Sequence, residues 1–251
     1  MRLKTVVGFL DETLEIASFA SDSALNGLQV EGSRTVAAAC CAVDACEESI
    51  RKTIRTGANL LIAHHGILWG TPQPVMGPLA VRLKLLLSRG VSLYAAHLPL
   101  DCHPEFGNNV CLGRIFELRE TVPFGEYHGV SIGLRGILPR EMTPRGVAAK
   151  LRRALDAPVR TFEFGRPRIR TLGIVSGGGA GLVQAASEAG CGALLTGETS
   201  HAAYHTARES RINLICAGHY ATETLGVQAL GERLHRELGV PVRFIDVPTG
   251  L

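Results

Sequence analysis

The sequence predicts an α/β protein of two lobes, each a largely parallel sheet covered by helices. Three observations carry that expectation. Short apolar runs alternate with amphipathic stretches nearly throughout, the pattern of strands joined by helical crossovers. The chain has 251 residues, 46% hydrophobic and 20% charged, enough for one large core or two of ordinary size. The alternation breaks once, around Pro123, Gly125 and Gly129, and then resumes. A division is therefore expected near residue 125, with an N-terminal lobe of 1–124 and a C-terminal lobe of 125–251. The lobes are expected to be pseudo-symmetric in plan, although the sequence itself shows no repeat and no low-complexity linker. The last strand has the option of returning to the first lobe.

Val6, Val7, Leu10, Leu14 and Ala17 recur at helical spacing, so the first element is an amphipathic helix. Asp11, Glu12 and Glu15 fall where a secretory leader would be apolar, and no leader is expected. Residues 36–43 read as a strand, 47–56 as a helix, 59–63 as a strand, 79–88 as a helix, 91–96 as a strand and 108–116 as a helix. Beyond the break, 130–138 is strand-like. Thr143 and Pro144 make a good N-cap and first-turn pair for a helix running to Leu155. Residues 159–164 and 171–175 read as strands, 182–189 as a helix and 193–196 as a strand. Helices follow Ser200 and Tyr220, and 242–247 closes the chain as a strand.

Composition narrows the class. No run approaches ~18 consecutive apolar residues, so no membrane span is expected. Seven cysteines form no C-x-x-C pair, and their odd number suits a reducing compartment, so a cytoplasmic location is expected. Cys40 and Cys41 sit in an apolar run and read as packing residues. Cys102 directly follows Asp101, as an inert neighbour or, alternatively, as a group that tunes a metal site. Net charge is +3, but residues 145–170 hold eight basic residues against Asp156 and Glu163, a local +6 that leaves −3 for the rest. Such a segment can accept phosphate, nucleotide or nucleic acid, or simply be a solvated face. No aromatic ladder is interleaved with these arginines, which weighs against single-strand binding.

The chemistry concentrates at three apolar-run ends: His64-His65, His97-x-x-x-Asp101 and His219-x-x-x-Glu223. In α/β folds, ligands gather where strands end and loops begin. Gly66 permits a turn that lets His64 and His65 serve one cluster, since neighbours within a strand point to opposite faces. His219 and Glu223 share one face if a helix begins near Tyr220. A carboxylate can bridge two cations, whereas a neutral imidazole binds one, so two ions would need a bridging Glu or Asp. Imidazole with carboxylate and no thiolate suits zinc, iron, manganese or nickel.

Gly177-Gly178-Gly179-Ala180-Gly181 follows a strand and could hold an anion, or be a tight turn. It fits neither dinucleotide nor P-loop fingerprint, because Leu182 stands where the first needs Gly and no Lys-Ser/Thr follows. Glu198 ends a further strand as a candidate general base, with His201 and His205 four apart just after it. These two could orient metal ligands or have ordinary surface or core duty. No G-x-S-x-G elbow is present.

Taken together, Leu25-Asn26-Gly27-Leu28-Gln29-Val30, Ala63-His64-His65-Gly66 and His97-Leu98-Pro99-Leu100-Asp101 resemble a known family. So do Gly107-Asn108-Asn109, Thr196-Gly197-Glu198 and Ala217-Gly218-His219-Tyr220-Ala221-Thr222-Glu223. The chain resembles, over essentially its whole length, the toroidal dinuclear-metal proteins related to Ngg-one-interacting factor three, also called type-two GTP cyclohydrolase homologues. The resemblance implies two divalent ions per chain, with His65 and Asp101 on one, His64 and His219 on the other, and Glu223 bridging. It implies that His97 stands beside the site as an extra ligand or proton carrier. A homohexameric ring, with metal sites facing an internal cavity and no inserted middle domain, is implied too. One departure is Tyr220, where relatives often carry a second histidine.

The leading functional expectation is a dinuclear-metal-dependent hydrolase acting on a nucleotide or another phosphate-bearing substrate, with Glu198 and His97 as catalytic candidates. The alternatives are a non-enzymatic metal-handling or chaperone protein and a ring-shaped nucleic-acid scaffold.

Overall fold

The computed structural model describes residues 1–251 as a mixed α/β protein with two sheets, divided into two compact units. The first unit is Met1–Leu100 with Gly226–Val247, and the second is Asp101–Leu225 with Pro248–Leu251. No helix is long and apolar enough to cross a membrane.

In the first unit, strands β1 (Gly27–Val30), β2 (Ala39–Asp44), β3 (Leu60–His65), β4 (Ser92–Ala95) and β11 (Val242–Phe244) form one sheet, in the order β1-β4-β3-β2-β11. The three pairings among β4, β3, β2 and β11 are parallel, and only β1 runs antiparallel. Parallel strands buried on both faces read as continuous apolar runs, and Leu60, Leu61, Ile62 and Ala63 are all fully buried. Helix α1 (Leu3–Thr13) buries Leu3, Val6 and Leu10 on one stripe. Helix α2 (Glu47–Thr56) begins in a reciprocal cap between Cys46 and Ser49, carries Glu47 and Glu48 in its first turn, and ends at Gly57. Helix α3 (Gly77–Ser88) starts with Pro78 in its first turn.

The second unit holds β5 (Arg119–Tyr127), β6 (Val130–Met142), β7 (Arg160–Phe162), β8 (Ile169–Val175), β9 (Ala193–Thr196) and β10 (Asn213–Cys216), in the order β5-β6-β8-β9-β10-β7. Here only the β8–β9 and β9–β10 pairings are parallel, against three antiparallel ones. The expectation of largely parallel sheets therefore holds for the first unit and is corrected for the second. The break expected around Pro123, Gly125 and Gly129 is instead strand β5 and the turn after it. Its hairpin turn is His128-Gly129, both at positive φ, as a two-residue turn between twisted strands requires. Pro123 is tolerated because β5 is an edge strand, where no neighbour needs its amide.

Helix α5 (Asn108–Ile115) buries Leu112, which with Phe116 joins Leu138, Leu172 and Ile174 in one core. That packing draws the chain from Asp101 onward into the second unit, so the division lies at 100/101 rather than near 125. Asp101 thus belongs to the second unit. Strand β11 returns to the first by pairing Val242–Phe244 with Ala39–Cys41. Helix α6 (Pro144–Leu155) opens on the Thr143 hydroxyl, which accepts from the Gly146 amide at 3.0 Å. The remaining helices are α4 (Leu98–Asp101), α7 (Val183–Glu188), α8 (His201–Glu209) and α9 (His219–Leu238).

Candidate metal centre

Each unit carries its own set of potential metal ligands. In the first unit, β3 ends in His64 and His65, and the chain leaves β4 through His97. Their rings gather closely, with centroids 4.6 Å apart for His64 and His65 and 5.2 Å for His64 and His97. One nitrogen from each lies within 4.8 Å of the others, close enough for a shared cation.

The tautomers are set by the oxygens behind the rings. Nδ1 of buried His64 lies 2.8 Å from the carbonyl oxygen of Ala96. A carbonyl only accepts, so this Nδ1 carries hydrogen. Nδ1 of His65 lies 2.9 Å from Oδ1 of Asp44, and Nδ1 of His97 lies 3.0 Å from Oδ1 of Asp22. A ligating histidine held from behind by a carboxylate or carbonyl is the usual arrangement at metal sites. Burial raises the Asp22 carboxyl, but the hydrogen bond and charge of His97, with Asn26 and the Ala24 amide, outweigh it and lower the pKa from 3.8 to about 2.

The Leu25–Val30 motif explains how the set is held. Asn26 donates to Asp22 at 2.8 Å and accepts from the His97 amide at 2.8 Å. Oε1 of Gln29 accepts from the amides of Ile67 and Leu68 at 2.7 and 3.1 Å, latching the chain just after His65. A Cβ at Gly66 would run into the Gln29 side chain, so glycine is required there for the latch to close. Trp69 stands edge-on to His97, with ring centroids 5.0 Å apart.

In the second unit the ligand set is richer in oxygen. Asp101 is 8% exposed and Glu223 is 3% exposed. Each offers a carboxylate oxygen, and the two lie within 4.8 Å of one another. Two buried carboxylates this close repel unless a proton or a cation stands between them. Asp101 Oδ1 accepts from Asn108 Nδ2 and from Ser176 Oγ, both at 2.8 Å. Asn109 holds that shell in turn, accepting from the Ser176 amide at 2.8 Å.

Helix α9 begins at His219, one residue earlier than its sequence suggested, and places His219 and Glu223 on one face. Nε2 of His219 lies 3.3 Å from Glu223, while Nδ1 lies 3.0 Å from Glu198. The Glu223 hydrogen bond, working against burial and joined by the charges of Glu223 and Glu198, raises the His219 pKa from 6.5 to about 9. The imidazole is thus flanked by carboxylate at both nitrogens, and the position facing Glu223 suits a proton or a metal cation. These donor sets fit a hard or borderline divalent ion.

The glycine loop serves this set. Gly177 has φ +59, and its carbonyl accepts from the amides of Gly197 and Glu198 at 2.9 and 3.2 Å. A Cβ at Gly177 would strike Oε1 of Glu223 and come within 3.1 Å of Nε2 of His219. The loop is therefore glycine-rich at this point so that its backbone can lie against the carboxylate.

Of the expected site residues, His64, His65 and His97 come together in the first unit, and Asp101, His219 and Glu223 belong to the second. Glu198, expected as a general base, contacts His219 Nδ1. Tyr220 is buried, and its amide donates to the Leu251 carbonyl. Sequence reasoning missed Asp22 and Asp44, which orient His97 and His65, because neither lies near a histidine in the chain. The Asp22-x-x-x-Asn26 spacing was the available signal for the first.

The profile described as Duf34/NIF3 (NGG1p interacting factor 3) matches residues 1–250. A protein of Pyrococcus abyssi named GTP cyclohydrolase 1 type 2 homolog is 48% identical over 100% of both chains. A protein of Archaeoglobus fulgidus with the same name is 43% identical over 100% of both. Among solved structures, TTHA1606 of Thermus thermophilus matches with a TM-score of 0.92 at 40% identity over 100% of both chains. A structure described as protein ybgI, of unknown function, matches with a TM-score of 0.94 at 33% identity, again over the full length of each. By sequence and by fold, this chain belongs to the Duf34/NIF3 family.

Proposed function

We propose that this protein is a dinuclear-metal-dependent hydrolase acting on a phosphate-bearing or nucleotide substrate. One observation carries the reading furthest. His64, His65, His97 and His219 each have Nδ1 against an oxygen acceptor, the orientation that metal-binding histidines share, and His219 Nε2 faces the Glu223 carboxylate. On the family resemblance, His65 and Asp101 would hold one ion and His64 and His219 the other, with Glu223 as the carboxylate available to both. When bound, such ions supply Lewis acidity toward a substrate oxygen and lower the pKa of water.

The chain's own residues then have distinct duties. Asp22 and Asn26 keep His97 oriented as a proton carrier beside the ligands. Glu198 keeps the His219 ring turned toward Glu223, or takes a proton itself. Asn108 and Ser176 fix which Asp101 oxygen remains for ligation. The basic segment 145–170 is the anion acceptor of this reading, in which a homohexamer arranges the sites. The relatives' name, GTP cyclohydrolase 1 type 2 homolog, points to nucleotides as the first substrate class to try.

Elemental analysis of the native protein and of Glu223→Gln, beside a phosphoesterase and nucleotide-hydrolysis panel on both, tests the proposal. About two ions per native chain, lost together with one activity in the variant, is the expected result. Metal without any turnover would shift the reading to metal handling, which the same ligands also support. A native protein that cannot be loaded with metal would overturn the ligand assignment.

A further inference from the structure

Helix α8 carries a histidine pair that is not among these ligand sets. His201 and His205 are four residues apart, and both are exposed. Their ring centroids are 4.9 Å apart, with the planes at 76°. The helix is held from its other side. Ala203 and Ala207 are buried, and Ala207 packs with Leu194 and Leu214 in the core of the second unit. Tyr204 stands edge-on to Phe162 and Phe164, at 5.5 and 5.1 Å between centroids. The Ser200 side chain caps the first turn by accepting from the Ala203 amide at 3.2 Å. The backbone beneath both imidazoles is therefore fixed before any ligand arrives.

We propose that His201 and His205 form a separate, solvent-facing site for a divalent transition cation of the Ni²⁺, Cu²⁺ or Zn²⁺ class. Two histidines at i and i+4 on one helix face are the spacing by which H-E-x-x-H helices grip zinc. Here Ala202 stands where that motif has glutamate, so the pair has the grip without the general base. Imidazole nitrogen favours these borderline cations over Mg²⁺ and Ca²⁺, which prefer oxygen. Once one imidazole has bound, the other is already alongside at high effective concentration, which is the source of the chelate gain. His201 is the first residue of α8, so the helix dipole opposes a cation there, at a cost of about fivefold in affinity. Losing an imidazole ligand costs at least about tenfold, so the chelate outweighs the dipole. With only two protein ligands, water fills the remaining positions, and the site exchanges metal rapidly. This suits capture from solution rather than storage.

The probe is Ni²⁺ alone, added to untagged full-length protein at about pH 8, since metal competes with protons for its ligands. Imidazole proton signals are followed by NMR in native protein, His201→Ala, His205→Ala and Glu223→Gln. Both variants of the pair alter exposed side chains, and circular dichroism checks that each is folded. In native protein the His201 and His205 signals should broaden together at one Ni²⁺ concentration. In either alanine variant, broadening of the remaining partner should need at least about tenfold more Ni²⁺. Glu223→Gln should leave the pair's response unchanged, which separates this site from the candidate centre. If the two signals titrate independently, or if removing one leaves the other's midpoint where it was, there is no chelate and the proposal fails.

Discussion

The two units differ in the ligand types each one gathers. The first offers nitrogen: His64, His65 and His97, with oxygens placed behind the rings at Ala96, Asp44 and Asp22. The second offers mainly oxygen: Asp101 and Glu223, with donors behind one carboxylate at Asn108 and Ser176, and a single imidazole in His219. Buried carboxylates are costly to leave uncompensated, and those around His219 raise its pKa to about 9. On the proposed function, metal affinity would depend mainly on the carboxylates of the second unit, since they alone bring negative charge.

Glu223→Gln should break that division most severely. It removes the negative charge of the bridging candidate, and metal affinity should fall by more than about 100-fold, beyond the usual loss for an orienting partner. Competition with a metal-binding dye measures it. Affinity within about tenfold of native would show that charge in the second unit is not what holds the ions.

Asp22→Asn strikes the first unit. His97 loses its carboxylate, and the Leu98 amide loses an acceptor at 3.2 Å. Metal affinity should fall about 10–100-fold if His97 is a ligand, and by much less if it is only a proton carrier. Stability should drop by about 1–3 kcal/mol in either case, read from urea unfolding. The pH dependence has a definite sign. A carboxyl lowered from 3.8 to about 2 on folding stabilises the protein above 3.8, and that stabilisation disappears as pH falls toward 2. Native protein should therefore lose stability across this window more steeply than Asp22→Asn, and parallel acid limbs would contradict the assignment.

Gly177→Ala probes the second unit through its backbone. The left-handed φ and the collision with Glu223 should together cost more than about 1 kcal/mol, seen as a lowered Tm in metal-free protein. An unchanged Tm would mean that the loop can move off the carboxylate. Ser176→Ala should have the smallest effect. One of two donors to Asp101 Oδ1 is lost while Asn108 remains, so stability should change by about 1 kcal/mol. A loss as large as that of Asp22→Asn would show that the two donors act as a unit.

Much of this is legible in the chain itself. The strand ends carrying His64, His65 and His219 follow uninterrupted apolar runs, and such runs report strands buried on both faces whatever surrounds them. Helix α2 occupies the 47–56 its sequence predicts, because its amphipathic pattern and the glycine after it are local signals. The Thr143–Pro144 start of α6 is legible for the same reason, since a cap is made by neighbours in sequence. Strand β5 is not, because Pro123 and Gly125 mimic a loop and only its position at a sheet edge makes them tolerable.

The alternation of elements, the ligand-bearing residue types and the family resemblance are written in local order and spacing, and so can be read from the chain. That Asp22 stands behind His97 and Asp44 behind His65, across 75 and 21 residues, comes from the folded structure. It alone moved the division to Asp101, returned Val242–Phe244 to the first sheet, and set Gly177 against Glu223. Those are pairings between distant segments, fixed by sheet register and core packing, and no short stretch of sequence encodes them.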